Sequence, residues 1–308
     1  MSAAAETTVL HVHTDTLRNA LLGLAAATAL VSIVGALAFG LLGPAKEAPT
    51  AGIEAPALVE LKPQPFAYRP AGDFSQAGRP TNAALRTVSL DRPLAIMMHQ
   101  VTVGEYQRCV ADGACPRVAV DQRAPVDQPM VGVSWRDANA YAAWLSAKLG
   151  TTWRLPTDEE WAFAAGSRWH DDVQPEGGVD PAQRWLAQYT QESEREDVAE
   201  RAPLPVGSFG INDKGVLDIA GNVWEWTDSC FVRRDLAAAD GTQIVNCGVR
   251  VVQGSHRTYV SDFVRDARAG GCAVGKPPSN LGFRLVRETP AWKRWPTMMA
   301  RLLKGTVG

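Results

Sequence analysis

The chain has 308 residues, enough for one large domain or two small ones, and its 31 basic against 33 acidic residues leave a formal charge of -2. A near-neutral chain has no global field to draw in nucleic acid, so that partner class is set aside. The 20 prolines, 27 glycines and 10 tryptophans argue against a helical bundle or a doubly wound sheet. They favour a loop-rich globule, low in regular structure, whose aromatics pin irregular segments.

After a short N-terminal segment, residues 1–19, the stretch Ala20 to Gly43 carries no charge. As a helix it would run about 36 Å against a hydrocarbon core of about 30 Å, enough for one transmembrane crossing with some tilt. A secretory signal has a shorter apolar region, about 7 to 15 residues, and no convincing small-x-small site follows Leu42. Arg18 and Lys46 flank the span almost symmetrically, so charge does not orient it. Thr28, Ser32, Ala36 and Gly40 place a small residue at every fourth position, a spacing that permits close helix pairing but arises readily in Ala-rich segments.

Cysteine orients the chain instead. All five cysteines follow the span, and "CVADGAC" closes a short loop between Cys109 and Cys115 through a Gly-containing turn. Cys230 and Cys247 flank a polar insertion and form the second expected pair. Cys272 is left over, and a leftover cysteine is as often a small buried hydrophobe as a reactive thiol. Disulfides belong to oxidising compartments, so the amino end is expected in the cytoplasm and the bulk of the chain in the periplasm.

Residues 44–65, Pro- and Ala-rich without apolar period, read as a linker. The folded domain is expected over 66–288. Three hydroxyl residues each followed three positions later by an acid mark helix starts: Thr102 with Glu105, Ser134 with Asp137, Thr157 with Glu160. The second helix is the clearest, since Ala138, Tyr141, Ala142, Leu145 and Leu149 repeat at helical spacing and Gly150 supplies the stop. Trp161 is expected to fold back over Pro156. An acidic run near 183–200 reads as a solvated face. The tail 289–308, basic with two tryptophans, would either lie on a membrane surface or pack on the domain.

Within "LDIAGNVWEWTD", strand alternation puts Trp224 and Trp226 on one face and the acid Glu225 on the other. Together with "VTVGEY", "VGVSWRDANAYAAWLSAKLG", "WRLPTDEEWAFAAG" and "NLGFRLV", in that order along the chain, this segment resembles the formylglycine-generating enzyme family, also called sulfatase-modifying factors. The resemblance implies a single α+β domain of low secondary-structure content, distantly similar to C-type lectin folds and commonly braced by calcium. Carried over residue by residue, it makes Asp218 and Glu225 calcium ligands through carboxylates and Gly221 and Val223 through main-chain carbonyls. Hard cations take such oxygen sets, although a salt bridge from Glu225 to an arginine is the competing reading.

The family's oxidases hold copper with two thiolates that follow a Gly-Ser pair. Here the stretch Gly254 to Arg268, "GSHRTYVSDFVRDAR", contains no cysteine. Copper(I) needs soft sulfur donors, so copper is not expected. His99, His170 and His256 have no ligand spacing, and Ser255 beside His256 on a strand would point to the opposite face. The pocket candidates are then Ser255, Trp224, His256, Tyr259, Arg265, Arg268 and Cys272, with Trp226, Arg257, Asp262 and Asp266 nearby. Arg265 and Arg268 have a bracing role as their alternative, paired with acids such as Asp266.

The function expected is a membrane-anchored accessory or maturation factor that binds a protein or peptide client, such as a respiratory or other envelope enzyme. The alternatives are a peptide-modifying oxidase that recruits Cys272 or another metal, and a lectin-like ligand-binding module.

Overall fold

The computed structural model describes residues 53–118, 124–171, 173, 202–266 and 280–288. The expected span 20–43 with its small-residue stripe, the acidic run 183–200, Arg268, Cys272 and the tail 289–308 lie outside the described residues. The chain divides into two units, Met1–Ile53 and Glu54–Gly308, and every described element belongs to the second.

In chain order the elements are strands β1 (Leu58–Leu61), β2 (Phe66–Tyr68), β3 (Asp73–Gln76), β4 (Arg79–Thr81), β5 (Arg86–Val88) and β6 (Leu94–Met97); helices α1 (Val103–Ala111) and α2 (Trp135–Leu149); β7 (Trp153–Arg154); and α3 (Asp158–Ala165), extended by the 3-10 turn Gly166–Arg168. Strands β8 (Trp224–Asp235), β9 (Gln243–Gln253), β10 (Thr258–Ser261), β11 (Leu281–Gly282) and β12 (Val286–Arg287) complete the order. Few helices and mostly short strands make an α+β domain of low regular content, as the composition leads one to expect.

All three capping boxes form. In each, the Thr102, Ser134 or Thr157 hydroxyl accepts the backbone N–H three residues on, while the acid there accepts the cap's own N–H. Two orphan donors are satisfied at each start, worth about 1 kcal/mol per cap. Helix α2 stops where Gly150 turns left-handed at φ 65°. Its stripe, Ala138, Tyr141, Ala142 and Leu145, is buried. Tyr141 packs with Tyr106 of α1 and edge-on against Phe283.

One sheet runs β1-β6-β12-β7 and the larger runs β10-β9-β8-β3-β4, with β11 added in parallel beside the start of β8; β2 and β5 pair separately. Between α3 and the smaller sheet lies a core of Leu61, Leu94, Ile96, Trp161, Phe163 and Val286. Strand β1 corrects the linker expected over 44–65. Its alternation is only four residues long and hidden between prolines, but Leu58–Leu61 pairs in register with Leu94–Met97 and buries Leu61. A short strand against a fully buried neighbour is held by that neighbour rather than by its own pattern.

Both expected disulfides are present. Cys109–Cys115 ties off the end of α1, and Cys230–Cys247 links β8 to β9 beside the bulge at Cys230.

Candidate functional site

Strand β8 carries the site because its first residues pair on both sides. Trp224 and Glu225 lie opposite Leu281 and Gly282 of β11, and Glu225 lies opposite Gln253 of β9. The Glu225 side chain has no exposed surface. Its Oε1 accepts from Gln100 Nε2 at 2.8 Å and Arg284 Nη2 at 2.7 Å, and its Oε2 from Trp161 Nε1 at 2.9 Å and Arg284 Nε at 2.6 Å. Arg284 also donates to the carbonyls of Met97, Met98 and Leu217. A carboxylate offers about four acceptor positions, and here all four are taken. The counterion of Glu225 is therefore Arg284, and the buried Trp161 gives its indole N–H to this acid.

The loop before it is built differently. Asp218, Ala220 and Asn222 all have positive φ, 55°, 59° and 61°, and none is glycine. Each such residue costs about 1–3 kcal/mol and persists only where the surroundings over-determine it, commonly at ligand clamps. Asn222 is locked by a reciprocal amide pair with the Leu204 backbone, both bonds 2.9 Å. The Asp218 carboxylate is fully buried and accepts the Phe209 N–H at 2.8 Å and the Gly207 N–H. It has no cationic partner among the described residues. A buried carboxylate without a counter-charge is costly. Of the four expected calcium positions, then, Glu225 has its oxygens taken by protein donors, the Gly221 carbonyl accepts the Val223 N–H at 2.7 Å, and Asp218 is the carboxylate left without a cation among the described residues.

On the other side of β8 the bend Gly254–His256 packs against Trp224. A Cβ at Gly254 would meet the Trp224 Cδ1 at 2.5 Å, so only glycine allows the indole this close. His256 stands edge-on to the indole at 5.4 Å between centroids. Because the backbone bends here instead of running as a strand, Ser255 and His256 do not diverge as alternation predicts: Oγ and Nδ1 are 3.3 Å apart. That is longer than an activated Ser-His pair uses. The Trp224 indole N–H is buried without an acceptor among the described residues. The bend thus presents a half-buried hydroxyl and a half-buried imidazole beside a buried indole.

The other candidates disperse. Tyr259 is a brace: its hydroxyl accepts the Gly72 N–H at 2.8 Å and its ring packs on Phe231. Arg257 pairs with Asp158 at 3.2 Å, beneath the pocket. Asp158 also accepts from the Tyr68 hydroxyl at 2.6 Å and from Gln253, a buried network that sequence reading misses. Burial first, then the Asp158 charge, push the Tyr68 phenol well above its ordinary range. Arg265 leaves the pocket and binds Asp137 in the first turn of α2 at 2.7 and 2.9 Å, so the acid it braces is Asp137 and not Asp266. Trp226 is core, its indole N–H donated to the Val133 carbonyl at 2.8 Å.

Gln100 and Arg284 are the functional residues that sequence reading does not single out. Arg284 stands inside "NLGFRLV", which is the signal that could have found it. A separate cavity of about 360 Å³, lined by residues including Arg92, Arg154, Glu159, Glu160 and Glu288, contains none of the pocket candidates.

Residues 45–289 match the family described as Sulfatase-modifying factor enzyme 1-like domain. The chain is 33% identical over 174 residues to the Bos taurus protein named inactive C-alpha-formylglycine-generating enzyme 2, covering 52% of this chain and 55% of that one. It is 31% identical over 175 residues to the formylglycine-generating enzyme of Streptomyces coelicolor, covering 53% of each. It spans about half the length of the curated relatives it matches. Among solved structures, PvdO from Pseudomonas aeruginosa aligns over 76% of this chain and 95% of its own, at 24% identity and a TM-score of 0.49.

Proposed function

Since the chain belongs to the sulfatase-modifying factor enzyme 1-like family, we propose that it is a member which keeps the scaffold and binds a protein or peptide client, without the family's copper oxidase chemistry. Overall likeness does not choose between activities, because relatives named as inactive and as active match it about equally, at 33% and 31% identity.

Sulfur carries the reading. The chain has five cysteines, and two disulfides use Cys109, Cys115, Cys230 and Cys247, leaving Cys272 alone. A cuprous centre of the family's type takes two thiolates, and one remaining cysteine cannot supply them. At the bend beside Trp224, Ser255 offers oxygen, which is a poor donor for that ion. What remains beside Trp224, the half-buried Ser255 hydroxyl and His256 ring, suits recognition rather than copper chemistry.

The client is an envelope protein in this proposal, such as a respiratory enzyme, and the domain is tethered by the apolar stretch 20–43. The disulfides support an oxidising compartment. Calcium enters as a structural ion at Asp218, Gly221 and Val223, where it would supply the positive charge that the buried Asp218 carboxylate lacks.

The experiment is a cuprous-ion titration of the full-length protein against a competing chelator, followed by incubation with a cysteine-containing peptide and oxygen. No stoichiometric copper uptake and no loss of peptide thiol are expected. Tight uptake with turnover would establish the oxidase alternative, with Cys272→Ser showing whether that thiol is recruited.

A further inference from the structure

Phe263 lies in a turn, Ser261–Val264, closed by the Val264 N–H to the Ser261 carbonyl at 3.1 Å, and is 66% exposed. A single exposed apolar side chain needs no explanation by itself. The way this one is held does. Asp262, just before it, accepts two hydrogen bonds from Arg136, at 3.0 and 3.2 Å, and its backbone N–H donates to the Gly248 carbonyl at 3.0 Å. Arg265, two residues after it, donates two bonds to Asp137 at 2.7 and 2.9 Å. Arg136 and Asp137 are neighbours in the first turn of α2, so the turn is fastened to one helix on both sides of the ring.

Both ion pairs also face the same way. The Asp262 and Asp137 side chains are 12% and 7% exposed, while those of Arg136 and Arg265 are 66% and 45% exposed. The carboxylates sit inside and the guanidinium groups outside. An exposed aromatic ring on a turn fastened at both ends is thus flanked by outward-facing cations whose acids are tied behind them; Asp266, the next acid along, is half-buried.

We propose that this surface docks an acidic segment of the partner protein, with an apolar side chain of that segment resting on Phe263 and its carboxylates on Arg136 and Arg265. The inference rests on the partner-binding reading and supplies the chemistry of the partner. Arginine and aromatic residues dominate binding hot spots, and a ring carried on a backbone turn already tied to a helix leaves only side-chain freedom to lose when a ligand arrives. Each guanidinium gives its Nε and Nη2 to its own aspartate, so a carboxylate of the segment would be met at the outer, Nη1 edge. An anionic bilayer attracts the same residue types, but one ring buries too little apolar surface to hold a domain there.

The test is fluorescence anisotropy on the full-length protein in mild detergent with three labelled peptides, DELFED, DEGGED and KKLFKK. DELFED should bind about tenfold or more tightly than either control, and Phe263→Ala should weaken it about tenfold while leaving the melting temperature unchanged. Its binding should also weaken as salt rises from about 0.05 to about 0.5 M. Equal binding by Phe263→Ala, equal affinity for KKLFKK, no binding of DELFED, or Phe263-dependent binding to phosphatidylglycerol vesicles in its place would each overturn the proposal. The copper and thiol assay does not involve Phe263, so failure of this surface and failure of the copper-free reading are read separately.

Discussion

Arg284 and Glu225 form an ion pair in which neither side chain has any exposed surface, through bonds of 2.6 and 2.7 Å. The arginine comes from just after β11 and the acid from β8, so the pair fastens the end of the chain's fold to the strand that carries the pocket. Removing one partner of such a pair strands the other charge in a medium that cannot solvate it, at a cost of about 3–5 kcal/mol. Arg284→Met should therefore lower the melting temperature by roughly 10 °C. The loss should be the same in calcium and in chelator, and Glu225→Leu added to it should recover part of the loss. Thermal unfolding of the two variants, with and without chelator, measures this directly.

Asp218 differs from Glu225 in having only backbone N–H groups for company among the described residues. If calcium supplies its missing counter-charge, the wild type melts higher in calcium than in chelator. The increment scales with ligand concentration over dissociation constant, about 2.7 kcal/mol at a hundredfold excess. Asp218→Asn should abolish that increment while Arg284→Met keeps it. A wild-type protein indifferent to calcium would remove the ion from the account of this loop.

How far the sequence reaches is plain from these two acids. The helix starts are legible because a capping box is a local device, complete within four residues, and the disulfides because the cysteines are few and well placed. The partner of Glu225 is not, because Arg284 stands 59 positions away and no periodicity couples them. Trp161 shows the same limit: the acceptor of its indole N–H, Glu225, stands 64 positions away. Strand β1 is too short to show a pattern of its own. The bend at Gly254–His256 carries no local signal that separates it from strand, and the mutual placement of Ser255 and His256 depends on that bend.

Two successive acids on α3 should show opposite pH behaviour. Burial pushes the Glu160 carboxyl up, but two 2.7 Å bonds from Arg154 and the Thr157 N–H outweigh it and hold the group below its ordinary 4.5. A depressed carboxyl stabilises the fold above its unfolded value, and that contribution is lost as pH falls below 4.5 through the folded value. Glu160→Gln should lower stability at neutral pH and flatten the acid limb. Glu159 is raised above 4.5, by burial first and then by Glu160, Asp158 and Asp91, so its charged form disfavours folding as pH rises past 4.5. Glu159→Gln should thus raise stability slightly at neutral pH and leave it unchanged in acid. Urea unfolding from about pH 3 to about pH 7 separates the two.

Gly254 is where the pocket depends on a missing side chain. In Gly254→Ala the new methyl would stand 2.5 Å from the Trp224 ring, and the buried indole would have to move away from His256. Overpacking of this kind costs about 1–3 kcal/mol. The variant should melt a few degrees lower and change the tryptophan emission. Gly248→Ala serves as control, since a methyl there meets only the Asn246 side-chain oxygen at 3.2 Å, on an exposed stretch of β9.

The absence of a thiolate pair is a statement about oxidation state as much as about sequence, and it can be counted. With Cys109–Cys115 and Cys230–Cys247 bonded, five cysteines leave one thiol, at Cys272. Protein unfolded in guanidinium without reductant should react with one equivalent of a thiol reagent, and with five after reduction. Cys272→Ser should bring the first value to none and leave the second at four. Three reactive thiols in the unreduced protein would mean that one disulfide is open in solution. A pair of sulfur donors would then exist after all, at Cys109 and Cys115 or at Cys230 and Cys247. The second of these would be the consequential one, because Cys230 lies on the same strand as Trp224 and its Sγ already accepts from Arg250 at 3.5 Å.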